Sequence, residues 1–491
     1  MKNIILLFSI LYLCFISCEN PTEKNISSGP KTRITFPLNN DIVSDTVNFI
    51  CVSVDDAEIS RVELWINNDS TGIIDTSNPY SLAWITKNYQ NGEYFAFIKA
   101  YDKDKITTAN SDTINLILNN FLIFNQTFGN PEKIEEGYSI LETSDQGYAI
   151  LGNIVSNNSD IFLLKTDQFG NEIWFQSYGG SQFDEARHFQ QTPDEGFIIS
   201  GITNSYGLGE EDVWVIKTNS LGLIEWNRSF GGSQNDRGSQ ILQTDESGFI
   251  VIGEKHNDEL GDSDLWLLKI NSQGEISWEK TLGGTENDKG YDIKITNSGD
   301  YLLLGSTSSF GNGGSDIWLI KTDQNGNEIW SQTYGSSNNE YGRSIINTDD
   351  GGYLIFATSE SFGNDNTDLH NIKIDSIGVE EWNKSFGGFY GKNGNVIQKS
   401  PNGGYILISS RYNYNNNSYN MWLIKMNTSG NTEWTKTFGN INDDHGYGIA
   451  VTSDGGYILT GSTNNYGYGN SEFSDIWLIK TDINGNTLDF D

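Results

Sequence analysis

The sequence predicts an all-β protein, an N-terminal β-sandwich followed by a seven-bladed β-propeller of four-stranded blades, and three observations predict it. The strand Asp316-Ile317-Trp318-Leu319-Ile320-Lys321 recurs in seven copies ending at Lys165, Lys217, Lys269, Lys321, Lys373, Lys425 and Lys480, five steps of 52 residues and one of 55. Each copy holds four strand candidates separated by Gly, Asn or Asp turns, for example Glu328–Tyr334, Arg343–Asn347, Gly352–Ala357 and Asp316–Lys321. The 53 Gly against 7 Pro, with 12% aromatic residues, fit turn-rich β structure with packed cores.

The first element is a leader. Residues 1–18 run from Met-Lys-Asn through an apolar stretch, Ile4 to Ile16, to Ser17-Cys18, the order of an export signal. The apolar stretch is short of the roughly 20 residues that span a bilayer. Phe15-Ile16-Ser17-Cys18 resembles a bacterial lipobox, with Phe15 where Leu is usual. The resemblance implies lipid attachment at Cys18, a membrane partner through that lipid, and a place in the bacterial envelope, at the outer membrane or cell surface. Residues 19–30, rich in Asn, Pro, Ser, Gly and Lys, then read as a flexible tether.

Residues 31–118 form the first folded element. Strand-like runs occur at Arg33–Phe36, Thr46–Val54, Arg61–Ile66, Tyr80–Trp84, Tyr94–Tyr101 and Thr113–Leu118, a sandwich density. Val62 to Asn67, Pro79-Tyr80 and Gly92 to Asp102 resemble the Ig-like modules that bacteria place beside surface domains. Trp65 is expected in the inter-sheet core. Cys51 is alone in the folded part, so no intramolecular disulfide is available, and its strand-like flanks make it a buried thiol.

Residues 119–491 are the propeller. In Asp316–Lys321, Ile317 and Ile320 fall on opposite faces, as do Trp318 and Leu319, so both faces are apolar and must be covered. Trp214, Trp266, Trp318, Trp422 and Trp477 share one repeat position, and Trp174, Trp226, Trp278, Trp330, Trp382 and Trp434 share another. Repetition in nearly every blade reads as inter-blade packing. The tail after Lys480 begins an eighth unit and is expected to pair with the first blade near Phe121–Phe128, hiding strand edges.

Net charge is −35, from 65 acidic and 30 basic residues, which excludes nucleic acid as a partner. The acidity reads as a soluble extracellular surface; the alternative gives some carboxylates to Ca²⁺. No other cofactor is indicated. Asp236, Asp288, Glu340 and Asp444 each stand two residues before a Gly, and are read either as turn-stabilising groups or as an acidic rim at one mouth of the ring. The variable connections before the Lys-ending strands carry Tyr206, Asp212, His256, Phe310, Tyr412 and Tyr466, the candidate binding-face residues. The four His, at 188, 256, 370 and 445, show no metal-ligand spacing, and His370 occupies a position that is Trp elsewhere.

Asp323 to Trp330 resembles the tryptophan-docking repeat of quinoprotein-type propellers, with an Asp-to-Gly spacing one residue shorter and without the vicinal cysteines of some quinone enzymes. The resemblance implies blade architecture and not the cofactor. Thr143 to Tyr148, Thr192 to Phe197 and Thr452 to Tyr457 resemble the Asp-box turns of sialidase propellers, though no arginine cluster accompanies them in the sequence. Together Trp434–Gly439, Asp454–Tyr457 and Asp475–Asp482 resemble a family of secreted bacterial propellers. That resemblance covers residues 119–491, implies architecture and leaves function open; a monomer is expected. The leading expectation is a non-catalytic binding or scaffold protein for a glycan or an envelope protein, with near-identical blades and no asymmetric polar cluster. A polysaccharide-active enzyme and an outer-membrane assembly scaffold are the alternatives.

Overall fold

The computed structural model describes residues 29–43, 46–55, 58–86, 89, 92–103, 108–118, 123–244, 248–259, 261–296, 298–362, 368–386, 396–468 and 473–488. Residues 1–28, with Cys18 and most of the expected tether, lie outside them. The described residues are all-β, no helix among them is long and apolar enough to cross a membrane, and the chain divides into two units, Met1–Asn120 and Phe121–Asp491.

The first unit is a sandwich. One sheet pairs Lys31–Phe36, Thr46–Val54 and Tyr80–Ile85; the other runs Asp41–Val43, Ile114–Leu118, Gly92–Asp102, Ile59–Ile66, Asp69–Asp75. Strict alternation in Thr46–Val54 buries Val47, Phe49 and Cys51 between the sheets. Burial, with repulsion from Asp75, pushes the Cys51 thiol up to about 11, so it stays protonated and inert. The core tryptophan is Trp84, 1% exposed and edge-on to Tyr89 and Tyr94, rather than Trp65. In Ile59–Ile66 it is Val62, Leu64 and Ile66 that are buried, so the two-residue period turns Trp65 outward, where it stacks on Phe97 at 5.8 Å.

The second unit is seven four-stranded antiparallel sheets. The fourth blade shows the plan: Asp288–Ile295 innermost, then Tyr301–Thr307, Asp316–Thr322 and Glu328–Tyr334 outermost. Second and third strands are buried on both faces, as the sequence pattern requires. Blades dock through the outer-strand tryptophans. Gly222, Gly274, Gly326 and Gly430, at positive φ in the hairpins between third and outer strands, leave no room for a Cβ against Trp174, Trp226, Trp278 and Trp382 of the preceding blade. The repeated lysine ties a second turn: Lys165, Lys217, Lys373 and Lys480 reach Asp145, Asp194, Asp350 and Asp454, which also accept from the Thr two residues earlier and the amide of the Gly two residues later. The boxes resembling Asp-box turns therefore clamp the hairpin between the first and second strands onto the third strand.

Closure of the ring differs from the sequence expectation in which segment supplies the strand. The last Lys-ending strand, Asp475–Thr481, pairs antiparallel with Phe124–Phe128, which becomes the outer strand of the seventh blade. Residues 482–488 beyond it form a turn and not a strand: Asp482 accepts from the amides of Asn484 and Asn486, and Thr487 donates to the Phe124 carbonyl at 3.2 Å.

Candidate functional site

The four acids expected at a rim are withdrawn from solvent. Asp236, Asp288, Glu340 and Asp444 are at most 2% exposed. Each accepts the amide of the residue four before it, Gly232, Gly284, Ser336 and Asn440, at 2.6–3.0 Å. Three also accept a hydroxyl from the connection between second and third strands, or from the strand leading into it: Ser309 to Asp288, Ser359 to Glu340 and Thr463 to Asp444; Asp236 instead accepts the His256 amide at 2.8 Å. Asp212 closes its own loop by accepting from Leu208 and Gly209. These carboxylates lock turns and form no acidic rim. Among the described residues no group of three or more His, Cys, Asp or Glu is placed to hold a metal ion.

Most of the loop aromatics are caps. Tyr206, Phe310 and Tyr466 lie over the third-strand rings of Trp214, Trp318 and Trp477 at 5.0–5.4 Å, and Phe362 stacks on His370. Where the aromatic is missing a cation replaces it: Lys255 over Trp266 and Arg411 over Trp422. His256 contributes only its backbone amide to the site of Asp236. Tyr412 is different, and leads to the central cavity.

The inner strands of all seven blades enclose a cavity of about 710 Å³. Because the Asp-to-loop bonds join the starts of inner strands to the connections between second and third strands, those connections surround one mouth of this cavity. One side of the wall, on blades two to four, is charged. Arg187 pairs with Glu185 at 3.0 Å; Arg237 bridges Glu211 and Glu254; Lys289 reaches Glu254 at 2.8 Å, and Lys294 reaches Asp292 at 2.8 Å. Burial raises the Glu185 carboxyl above its ordinary value even with Arg187 beside it. Burial also pulls the His188 imidazole down to about 4, leaving it neutral at pH 7.

The other side is aromatic. Six rings follow one another at centroid separations of 5.0–5.8 Å: Tyr414, Tyr412, Tyr419, His445, Tyr447 and Tyr138. The ladder starts at Tyr414, 66% exposed in the sixth blade's loop, and ends on Tyr447 and Tyr138 in the cavity wall. His445 and Tyr447 are stacked within 10° of parallel, and burial lowers the His445 pKa, so that ring too is neutral. Tyr138 donates to Glu136 at 2.6 Å.

This asymmetric constellation overturns the expectation of uniform blades. Sequence reasoning missed Arg187, Arg237, Arg343, Glu185, Tyr138 and Tyr447 because, the neighbouring Glu185 and Arg187 aside, they lie roughly fifty residues or more apart. The signal available was variation at a fixed place in a regular repeat: the residue following Gly137, Ala186, Gly238, Gly290, Gly342 and Gly446 is Tyr, Arg, Ser, Tyr, Arg and Tyr in turn.

Fold and topology define the class: an all-β protein joining an Ig-like sandwich to a seven-bladed propeller. Residues 30–95 match the bacterial Ig domain family. The chain is similar to the regulatory protein FlaEY of Caulobacter vibrioides, 23% identical over 181 residues, which is 31% of this chain and 19% of that protein; this chain thus spans less than a fifth of that curated relative. Among solved structures, the WD40 domain of Neurospora crassa Pan2 aligns with a TM-score of 0.44 at 11% identity, over 72% of this chain and 90% of that one. The β-propeller domain of the Trilobed protease from Pyrococcus furiosus aligns with a TM-score of 0.41 at 9% identity, over 71% and 95%. Neither likeness bears on activity.

Proposed function

We propose that the protein is a non-catalytic binding protein of the bacterial cell surface, anchored by a lipid on Cys18, that takes an oligosaccharide at the cavity mouth. The observation that carries this reading is the ladder from Tyr414 to Tyr138. Apolar faces of sugar rings pack on aromatic rings, and successive rings about 5 Å apart offer an extended ligand a continuous track from solvent into the cavity. The charged side supplies hydrogen-bonding groups for hydroxyls. Ion pairing of the wall acids with Arg187, Arg237, Lys289 and Lys294 favours binding over hydrolysis, which needs one carboxyl free as acid and a second as base or nucleophile.

Glu185 favours a second reading, a polysaccharide-active enzyme, because a carboxyl raised by burial suits a general acid. One experiment separates the two: a glycan array and polysaccharide pull-down with the soluble form lacking residues 1–18, followed by product analysis on every hit. The proposal expects retained ligand and no shortened product. Cleavage that disappears in E185Q would replace it with the enzyme reading, and absence of any glycan hit would overturn both.

A further inference from the structure

Among the described residues the cavity wall holds five Lys and Arg side chains, Arg187, Arg237, Lys289, Lys294 and Arg343, and four of them are ion-paired. Arg343 is the exception. It projects from the inner strand Glu340–Asn347 of the fifth blade, and no carboxylate among the described residues pairs with it. Its Nε has neither a hydrogen-bond partner nor solvent contact. Its guanidinium carbon lies 5.7 Å from the ring centroids of both Tyr291 and Tyr341.

A guanidinium stays charged at every physiological pH, so it cannot escape enclosure by losing its proton. Burial penalises the charged form here and pulls the Arg343 pKa below the usual arginine value. In a chain of net charge −35 an unmatched cation at the centre of the ring is out of keeping with its surroundings. An oxyanion entering the cavity would supply the missing partner, and a planar guanidinium can receive it through two parallel hydrogen bonds.

We infer that the ligand entering this mouth carries one oxyanion, such as a uronate carboxylate or a sulfate ester, on an otherwise neutral glycan, and that Arg343 receives it. The inference rests on the proposed glycan reading for the rest of the ligand. A single charge is specified because, among the described residues, one wall cation is without an ion pair, and because a polyanion would meet the field of the acidic surface before reaching it.

Two measurements on the full-length protein test the assignment. In thermal unfolding, millimolar glucuronate and glucose 6-sulfate are compared with glucose at matched ionic strength, in wild type and R343Q. At least one anion is expected to raise the unfolding temperature of wild type and not of R343Q, and which of them does so identifies the oxyanion. Without ligand, R343Q should unfold at or above the wild-type temperature, since it removes an unpaired cation; R343K, which keeps the charge, should retain part of the response. No anion-specific shift, or an equal shift in R343Q, overturns the assignment. In the second measurement, oligosaccharides ending in a uronate are compared with their carboxyl-reduced counterparts. Wild type should prefer the acid by about tenfold or more, and R343Q should bind both alike. Equal wild-type affinity for the two overturns this inference and leaves the glycan reading intact. A thermal response to the anion without any oligosaccharide binding overturns the glycan reading and keeps Arg343 as an anion site.

Discussion

Phe124 stands opposite Lys480 across the edge of the seventh blade, so the first strand of the propeller is the last strand of its final sheet. Phe124 also takes the part that tryptophan plays elsewhere. A Cβ on Gly170 in the first blade's hairpin would meet the Phe124 ring, as one on Gly222 would meet Trp174, and the ring lies 5.8 Å from Tyr148. F124A should therefore weaken both the closing pair and the seventh-to-first docking, at a cost of about 3–5 kcal/mol. Denaturant unfolding of F124A beside W226A checks this. A midpoint for F124A indistinguishable from wild type would mean that the ring does not depend on its closing strand.

Two adjacent glycines behave oppositely. A Cβ on Gly231 would collide with Asp212 Oδ1 and lie 2.8 Å from Asp236 Oδ2, whereas the nearest atom to a Cβ on Gly232 is 3.7 Å away. Both carboxylates are buried and already held by loop amides, so they cannot swing aside. G231A is expected to destabilise by about 1–3 kcal/mol, with G232A near neutral. The same comparison of unfolding midpoints decides it, and equal effects would refute the packing argument.

The same glycines show why the architecture could be read from the chain and the site could not. Period, strand alternation and turn residues are local signals repeated seven times, and they delivered blades, docking tryptophans and structural turns. Trp65 is expected in the core and Trp84 fills it, because both sit in alternating runs and only pairing register decides which face is buried. Asp236 and its counterparts carried two readings, and their backbone partners, four residues earlier, favour loop closure. The cavity wall was illegible for a different reason: Arg343, Tyr447 and Arg187 meet only because closure carries distant inner strands around one axis.

Protonation of buried carboxyls should stabilise the folded state as the pH falls, against the buried imidazoles. Burial pushes the Asp444 carboxyl up to about 6, against hydrogen bonds from Thr463, Asn440 and Asn465 that pull it down. The unfolded value is about 3.9, so the folded state takes up the proton first and the cost of the buried charge is fully present above pH 6. Lowering the pH from 7 towards 4 removes that cost, worth about 3 kcal/mol at this site. Burial shifts Asp160, Asp236, Asp264 and Asp316 in the same direction. Buried imidazoles oppose them over the same range: burial pulls His188 and His370 down to about 4 from an unfolded value of about 6.5, so their contribution is full above pH 6.5 and is lost as pH falls towards 4. Asp350, held at about 2 by Thr348 and Lys373, adds a loss below about pH 4. The Asp444 contribution is therefore read as a difference: the unfolding temperature of D444N minus that of wild type should fall as the pH is lowered from 7 to 5. A difference that does not change with pH would contradict the burial argument.

Tyr447 and Tyr206 separate ligand contact from packing. Both are loop-face tyrosines near a third-strand or inner-strand ring, yet Tyr206 is tied to Trp214 and to the Gly179 carbonyl at 2.9 Å, a cap repeated in other blades. Tyr447 instead joins His445 to Tyr138 at the cavity wall, an arrangement that among the described residues occurs in a single sector of the ring. If the ladder is the ligand track, Y447A should weaken glycan binding by about 1–3 kcal/mol, roughly 5- to 150-fold, because it interrupts the stack where the ligand turns inward. Y206A should lower the unfolding temperature and leave the affinity unchanged. Calorimetric titration of both variants with a glycan hit from the array gives the answer. A loss of affinity in Y206A as large as in Y447A would move the binding surface from the cavity mouth to the loop caps, where the repeat would then offer several equivalent sites instead of one.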